Sequence, residues 1–242
     1  MNKKSILATI AIIFILTLAT ITMLPIVNAH DPPLEIPTYP YLVVSPNPVG
    51  VDQSVNLLFW IHGAPPTALG IGGDRYYFTV DITNAESIRK LLGSIPSLDS
   101  IVCVAGEAKW DDFKDLSEED YYIGIRSKLM GQVNLVRIGQ DYLKSKGSIT
   151  LSTGILADDP VIKTTSAALV NGAIHSFVKA VSLEIENELR VNAVSLGVVE
   201  DAYNKYKDFF PGHNPVPMIK VVNAYVRSVE GRANGEIIRV YE

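Results

Sequence analysis

The stretch LRVNAVSLG, residues 189–197, begins with a short apolar strand that directly follows a long helical segment at 160–188. The same order of helix and apolar strand repeats on both sides of it. The other predicted strands are YYFTVDI at 76–82, DSIVCV at 99–104, SITLST at 148–153 and EIIRVY at 236–241. Because this alternation requires helices on both faces of a parallel sheet, the sequence predicts an α/β domain over 76–242.

Polar residues mark where the other helices begin. Asn84 is a typical N-cap for the helix AESIRKLLGSI at 85–95. Ser117, with Asp120 three residues later, is close to a capping box and opens a helix that we expect to reach Lys144. A last helix is predicted over VPMIKVVNAYVRSV at 216–229.

Residues 30–75 have a different composition. They contain eight prolines and two extended runs, YLVVS at 41–45 and VNLLFWI at 55–61, joined by PNPVGVDQ. This pattern favours antiparallel strands, and 39–80 resembles the opening of Ig-like domains in exported archaeal proteins. We therefore predict a small antiparallel β-rich segment at 30–75.

The N-terminus has the layout of a secretory signal. MNKK is followed by an uncharged apolar run at 6–27 and by small residues before His30. The run is also long enough to span a bilayer if it is not cleaved. We predict that 1–29 is a signal peptide or membrane anchor, that residues 5–27 contact the membrane if uncut, and that the rest is exported.

Charge and cysteine usage exclude several classes of partner. The net charge of −5 argues against a nucleic-acid surface, which requires a basic patch. Cys103 is the only cysteine, so a disulfide within the chain and a cysteine metal cluster are both excluded. The four histidines do not have metal-ligand spacing, and we predict no metal site.

Several phrases resemble the short-chain dehydrogenase/reductase family. The resemblance covers about 76–242 and rests on VDIT at 80–83, VCVAG at 102–106, GSITLST at 147–153, SAALVNGAIHSFVKAVSLEI at 166–185 and LRVNAVSLG at 189–197. It implies a Rossmann-like fold, NAD or NADP as cofactor, and a small carbonyl or alcohol substrate. It also implies cofactor-binding roles for Asp81, Ala105 and Gly106. Relatives often pair through long helices such as 118–145 and 160–188, so a homodimer is compatible with it.

The stretch GAPPTALGIGGDR at 63–75 stands where the family's glycine-rich phosphate loop would be sought. A strand, a covering helix and a second strand need about 30 residues, but only 12 residues lie between Gly63 and Tyr76. Pro65 and Pro66 also lack the backbone N–H groups that a pyrophosphate requires. We interpret this stretch as a hairpin connection, and the fold as a truncated Rossmann-like sheet.

The missing elements leave the centre of the sheet undetermined. The strands at 76–82 and 99–104 could pair directly, or a strand from 41–61 could fill the gap between them. A third interpretation is an artificial join near Gly73–Thr79.

The family's catalytic tyrosine and lysine are not found at the expected positions. Counting from Gly172 places the tyrosine position at Lys163 and the lysine position at Ala167. The serine position falls on Thr153, with Ser152 beside it, and the asparagine position falls near Lys128. We therefore take Thr153, Ser152 and Lys163 as the candidate catalytic residues, with Lys163 and a hydroxyl as a possible Ser–Lys type dyad.

Other candidates are better explained by structure. Tyr142–Lys146 and Tyr203–Lys207 have the family's YxxxK spacing but lie in other segments. Asp158 and Asp159 are expected at a helix N-terminus, where carboxylates complement the dipole, and His175 is expected to be a packed or surface residue.

Two functions follow from these observations. The first is a divergent NAD(P)-dependent oxidoreductase, impaired or inactive because the glycine-rich loop and the Tyr/Lys pair are absent. The second is an exported or membrane-tethered binding or structural protein. The chain is expected in the cytoplasm only if the N-terminal join is spurious.

Overall fold

The computed structural model describes residues 41–44, 55–60, 75–95 and 98–242, with side chains described from Val80 onward. The predicted signal or anchor at 1–29 and the stretch 61–74 lie outside the described residues. Among the helices that are described, none is both long enough and apolar enough to cross a bilayer.

Seven strands form one sheet in the spatial order β3-β2-β1-β4-β5-β6-β7. The strands are β1 (Tyr41–Val44), β2 (Val55–Trp60), β3 (Arg75–Val80), β4 (Leu98–Cys103), β5 (Leu143–Gly154), β6 (Arg190–Leu196) and β7 (Ile237–Val240). The helices are α1 (Ala85–Gly93), α2 (Glu118–Gly124), α3 (Met130–Gly139), α4 (Thr165–Val181), α5 (Glu200–Tyr206) and α6 (Met218–Glu230).

The predicted parallel sheet is confirmed for the four strands β4 to β7, which pair in parallel and in chain order. The gap that the sequence leaves open is filled by β1 and β2. β1 pairs in parallel with β4, whereas β2 runs antiparallel to both β1 and β3. β2 and β3 are therefore neighbouring antiparallel strands. The hairpin interpretation of 63–75 concerns the connection between them, 61–74, which lies outside the described residues.

Two predicted helices are shorter in the structure. The helix from Ser117 contains a π turn at Ile125–Leu129 and ends at Gly139 instead of Lys144, because Leu143 already pairs with Leu98 in the sheet. The helix predicted over 160–188 is limited to Thr165–Val181. Lys163 before it and Asn187 and Glu188 after it have left-handed backbone conformations, with φ of 67°, 57° and 56°, which an α-helix cannot contain.

The strands β4 to β6 are buried on both faces. On one face, Ile149 and Leu151 of β5 belong to a core that includes Ile88, Leu135 and Ile174 of the flanking helices. On the other face, a second apolar cluster packs α6 against the sheet. Three hydroxyl pairs accompany it: Ser148 with Ser100 at 2.5 Å, Thr150 with Ser228 at 2.6 Å, and Ser152 with Tyr225 at 2.6 Å.

Candidate functional site

A cleft of about 400 Å³ lies where β4, β5 and β6 reach their carboxyl ends. In open α/β sheets, ligands bind outside this edge. Gly106, Gly154 and Gly197 follow or end the three strands and line the cleft. Most of its remaining wall is apolar or aromatic, formed by Trp110, Ile155, Leu156, Leu196, Val198, Val199, Ala202, Tyr206 and Phe210.

Gly106 is held against the π turn of the neighbouring helix. Its φ of +117° is a conformation that L side chains rarely adopt, and a Cβ placed on it would lie 2.5 Å from the Cα of Lys128. Single π turns occur often at functional sites. Here the π turn places Lys128 in the wall of the cleft, next to the glycine that follows β4.

Gln132 of α3 joins the ends of β4 and β5. The backbone pairing of these strands ends at Val102 and Thr150, and beyond that point the Gln132 amide takes the place of a strand. Its Nε2 donates to the carbonyl oxygens of Ala105 (3.3 Å) and Ser152 (3.0 Å), and its Oε1 accepts from the backbone N–H of Ser152 (3.1 Å). The side chain is completely buried, so these bonds fix the floor of the cleft.

The two predicted hydroxyls point to opposite faces of the sheet, because successive strand residues alternate. Ser152 Oγ bonds to the Cys103 carbonyl and to Tyr225 of α6. Thr153 Oγ1 lies 2.8 Å from Nε2 of His175 of α4. All of these side chains are buried, and burial lowers the pKa of His175. The expectation that His175 is packed is confirmed, but its bond to Thr153 was not foreseen.

Lys163 is directed to a different partner. Its Nζ lies 3.0 Å from Asp112, and this hydrogen bond raises the pKa of the amine. Among the described residues, Lys163 is not bonded to Ser152 or Thr153, so the structure does not bring the three predicted catalytic residues together. Asp112, Asp111 and Asp115 form an exposed acidic group, and we assign no metal to it because the Lys163 amine already neutralises part of its charge.

Two of the three residues predicted to bind a cofactor make hydrogen bonds within the fold. Asp81 accepts from the backbone and hydroxyl of Thr83, at 2.8 and 2.7 Å, in the turn before α1. Ala105 is buried and its carbonyl is bonded to Gln132. Gly106 is the one of the three that lines the cleft.

A second polar network lies beside the cleft. Asp158 follows a short 3₁₀ turn at Ile155–Ala157 and accepts hydrogen bonds from Arg239, at 2.7 and 3.1 Å, and from Tyr241. Tyr241 also bonds to Ser195, the β6 partner of Thr153. The expectation of a helix N-terminus was wrong for Asp158, since α4 begins only at Thr165. The bonds from Arg239 lower the pKa of Asp158 to about 2.

We expect Asp158 to make stability depend on acid pH. Its folded-state pKa is below the unfolded value of about 3.9, so its contribution is complete above about pH 5 and is lost as the pH falls toward 2. In urea unfolding between pH 5 and pH 2, Asp158→Asn should therefore lose less stability than the wild type. The exposed Asp208→Asn serves as control and should keep the wild-type slope. Equal slopes for Asp158→Asn and the wild type would contradict the assignment.

This architecture is similar to that of known proteins. The family profile described as enoyl-(acyl carrier protein) reductase matches residues 66–214. The chain belongs to the short-chain dehydrogenase/reductase family.

Solved structures agree with this assignment. The protein lin1944 from Listeria innocua is 42% identical, with a TM-score of 0.65 over 67% of this chain and 81% of that chain. A small-chain dehydrogenase in complex with NADPH is 26% identical, with a TM-score of 0.60 over 66% of this chain and 80% of that chain. The NADH-dependent enoyl-[acyl-carrier-protein] reductase from Aquifex aeolicus, at 20% identity and a TM-score of 0.58 over 67% of this chain and 70% of that chain, shows the shared fold. No curated protein matches the chain.

Spacing along the sequence predicts that Lys163 stands at the family's tyrosine position and Ala167 at its lysine position. In the structure Ala167 is buried in a small apolar cluster, and Lys128, near the predicted asparagine position, lines the cleft. The roles of Gln132 and Asp158 depend on partners 20 to 83 residues away and carry no local sequence signal.

Proposed function

We propose that this chain is a short-chain dehydrogenase/reductase homologue that retains the family's small-molecule cleft but does not transfer hydride through a Tyr/Lys pair. The observation that carries this proposal is the environment of Lys163 and Ala167. The first is ion-paired with Asp112 and the second is packed in the apolar cluster, so neither supplies the phenol or the amine of the family's proton transfer.

The connection after β1 supports the same proposal. Only ten residues, 45–54, separate β1 from β2, and β2 is antiparallel to β1. A dinucleotide site of the family's type needs a crossover helix, whose N-terminus receives the pyrophosphate, followed by a parallel strand. The described residues therefore do not fit NAD or NADP in the usual geometry, and we derive no step through either cofactor.

Nucleotide titration and turnover of the full-length chain test this proposal together. NADH or NADPH fluorescence is followed up to millimolar concentration, and nucleotide oxidation is followed with aldehydes, ketones and enoyl thioesters. An intact small-chain dehydrogenase is the positive control. We expect neither saturable binding nor carbonyl-dependent oxidation. Robust turnover by the isolated chain would overturn the proposal.

A location outside the cytoplasm is consistent with loss of nucleotide-dependent chemistry, because free NAD(P)H is scarce there. The uncharged run at 6–27 supports export or membrane anchoring. Cell fractionation combined with N-terminal sequencing decides this point: mature chain found only in the cytosol, with Met1 retained, would rule it out.

A further inference from the structure

Lys128 is the lysine among the residues that line a mainly apolar cleft. Its stem packs against Gly106, with Cβ and Cγ 2.8 and 2.9 Å from where a glycine Cβ would stand. Tyr206, Ile155 and Val199 are among the other residues lining the same space. Within the part of the chain that the structure describes, no hydrogen bond or ion pair is made by its amine.

Several other lysines have carboxylate partners and are more exposed. The Nζ atoms of Lys144 and Lys163 each lie 3.0 Å from an aspartate oxygen, and those of Lys109 and Lys146 lie 3.9 Å from one. An amine beside apolar walls has no such compensation, and its burial favours the uncharged form. Lys128 therefore differs from these lysines in the fraction of its amine that is uncharged. Only the uncharged amine acts as a nucleophile.

Among the described residues, the ionisable groups around Lys128 do not supply the missing negative charge. The Cys103 thiol, from β4, is buried, and this burial raises its pKa to about 12, so it is neutral at physiological pH. Tyr206 presents a phenol ring from α5. Glu107, next to Gly106, lines a separate depression with Glu119 and Arg126.

Two unpartnered polar atoms lie on α4, the helix beside the cleft. Among the described residues, Ser166 Oγ and Asn171 Oδ1 are the buried side-chain atoms that lack a hydrogen-bond partner. The Asn171 amide nitrogen is 4.0 Å from the position of a Cβ on Gly154, which lines the cleft. Buried polar atoms without partners are rare in native proteins, but neither residue lines the cleft, so they do not identify its ligand.

We propose that Lys128 is the reactive group of the cleft and that it forms an imine with an aldehyde or ketone carrying an apolar or aromatic substituent. This inference rests on the proposed function only in that the cleft takes a small carbonyl compound. The lone pair of the neutral Nζ attacks the carbonyl carbon and forms the C–N bond of a carbinolamine. Loss of water then gives the C=N bond, so the condensation is redox-neutral and needs no nucleotide.

The apolar wall selects among ligands that an amine could take. A carboxylate would pair with a charged ammonium, but burial lowers the pKa of Lys128 and favours the neutral amine. A carbonyl group is the chemical partner with which an uncharged amine forms a covalent bond, and an aromatic or aliphatic substituent fits the side chains of Trp110, Leu156 and Phe210.

Reductive trapping on the full-length chain tests the proposal. The protein is incubated with benzaldehyde and cyanoborohydride at pH 7, and modified lysines are located by peptide mass spectrometry at early times. We expect Lys128 to be modified several-fold faster than Lys163, because burial lowers the pKa of the Lys128 amine and leaves a larger fraction of it uncharged at pH 7. Lys163 is the internal control, because its bond to Asp112 raises the pKa of its amine. Raising the pH to 9 should bring the modification rates of Lys128 and Lys163 closer together, because the uncharged fraction of the Lys163 amine then rises more than that of Lys128.

Two variants complete the experiment. Lys128→Met should lose the fast modification, whereas Lys163→Met should retain it, and circular dichroism reports whether each variant is folded. The comparison within the wild type is decisive even if Lys128→Met fails to fold. Modification of Lys128 at or below the rate of Lys163 at pH 7 overturns the proposal. Because no nucleotide is present, this result is independent of the nucleotide titration.

Discussion

Replacing Gln132 by alanine is expected to lower the free energy of unfolding by about 4 kcal/mol. The change removes the partners of three backbone groups, the carbonyls of Ala105 and Ser152 and the N–H of Ser152, at a completely buried position. Each unsatisfied buried group costs about 1–3 kcal/mol, and the lost side chain leaves a cavity. For a chain of this length, thermal denaturation should show a midpoint lower by about 10 °C.

Gln132→Met separates the hydrogen bonds from the packing. Methionine has a similar length and shape but lacks the amide, so we expect it to lose about 3 kcal/mol. Gln140→Ala is the matched control, because Gln140 lies at the end of the same helix and, among the described residues, its side chain donates one hydrogen bond, to the carbonyl of Arg137. A Gln132→Met variant within about 0.5 kcal/mol of the wild type would show that the amide is not needed to join β4 to β5.

Replacing Gly106 by alanine is expected to cost about 3 kcal/mol. A φ of +117° is unfavourable for alanine, and the new methyl group would lie 2.5 Å from the Lys128 backbone. A backbone atom cannot rotate away as a flexible side chain can, so the π turn or the loop after β4 must shift. Chemical denaturation monitored by circular dichroism measures the loss.

Gly172→Ala provides the opposite case in the same molecule. Gly172 lies inside α4, and a Cβ there would meet no atom within 4 Å. Alanine should therefore stabilise the helix by about 0.5–1 kcal/mol. If both glycine variants changed stability by the same small amount, the close approach of Gly106 to Lys128 would not be a constraint on the fold.

The parallel half of the fold could be predicted because its determinants are local. Asn84 caps α1 by accepting from the backbone of Glu86 and Ser87. Ser117 and Asp120 form the reciprocal bonds of a capping box. Apolar runs between these signals predict the strands β4, β6 and β7 to within one residue at each end, whereas β5 begins at Leu143 instead of the predicted Ser148.

The remaining features depend on contacts between distant segments. α4 is shorter than the predicted helix, and Lys163 before it and Asn187 after it have left-handed backbone conformations. Neither residue is a glycine, so the sequence does not indicate these conformations. The place of β1 between β2 and β4 is a pairing choice that neither strand reveals alone.

The candidate site was predicted only in part, for a related reason. Spacing along the chain predicts that the family's tyrosine and lysine are absent, but it does not predict what the residues at those positions do. Thr153 and His175 are 22 residues apart and meet because β5 and α4 pack together. The sequence places Lys128 only near the family's asparagine position. The environment of its side chain follows from the residues that line the cleft.

The hydroxyl pairs between β5 and α6 have a consequence for folding specificity. Apolar contacts are non-directional, so a helix held by them alone can slide along a sheet at little cost. Thr150 and Ser152 are two residues apart on the strand, while their partners Ser228 and Tyr225 are about one helical turn apart. Sliding α6 by a turn would break both bonds at once and separate the buried hydroxyls of Thr150 and Ser228. The pairs therefore fix the position of α6 along the sheet. Because β7 is the next element after α6, they also determine where the last strand joins the sheet.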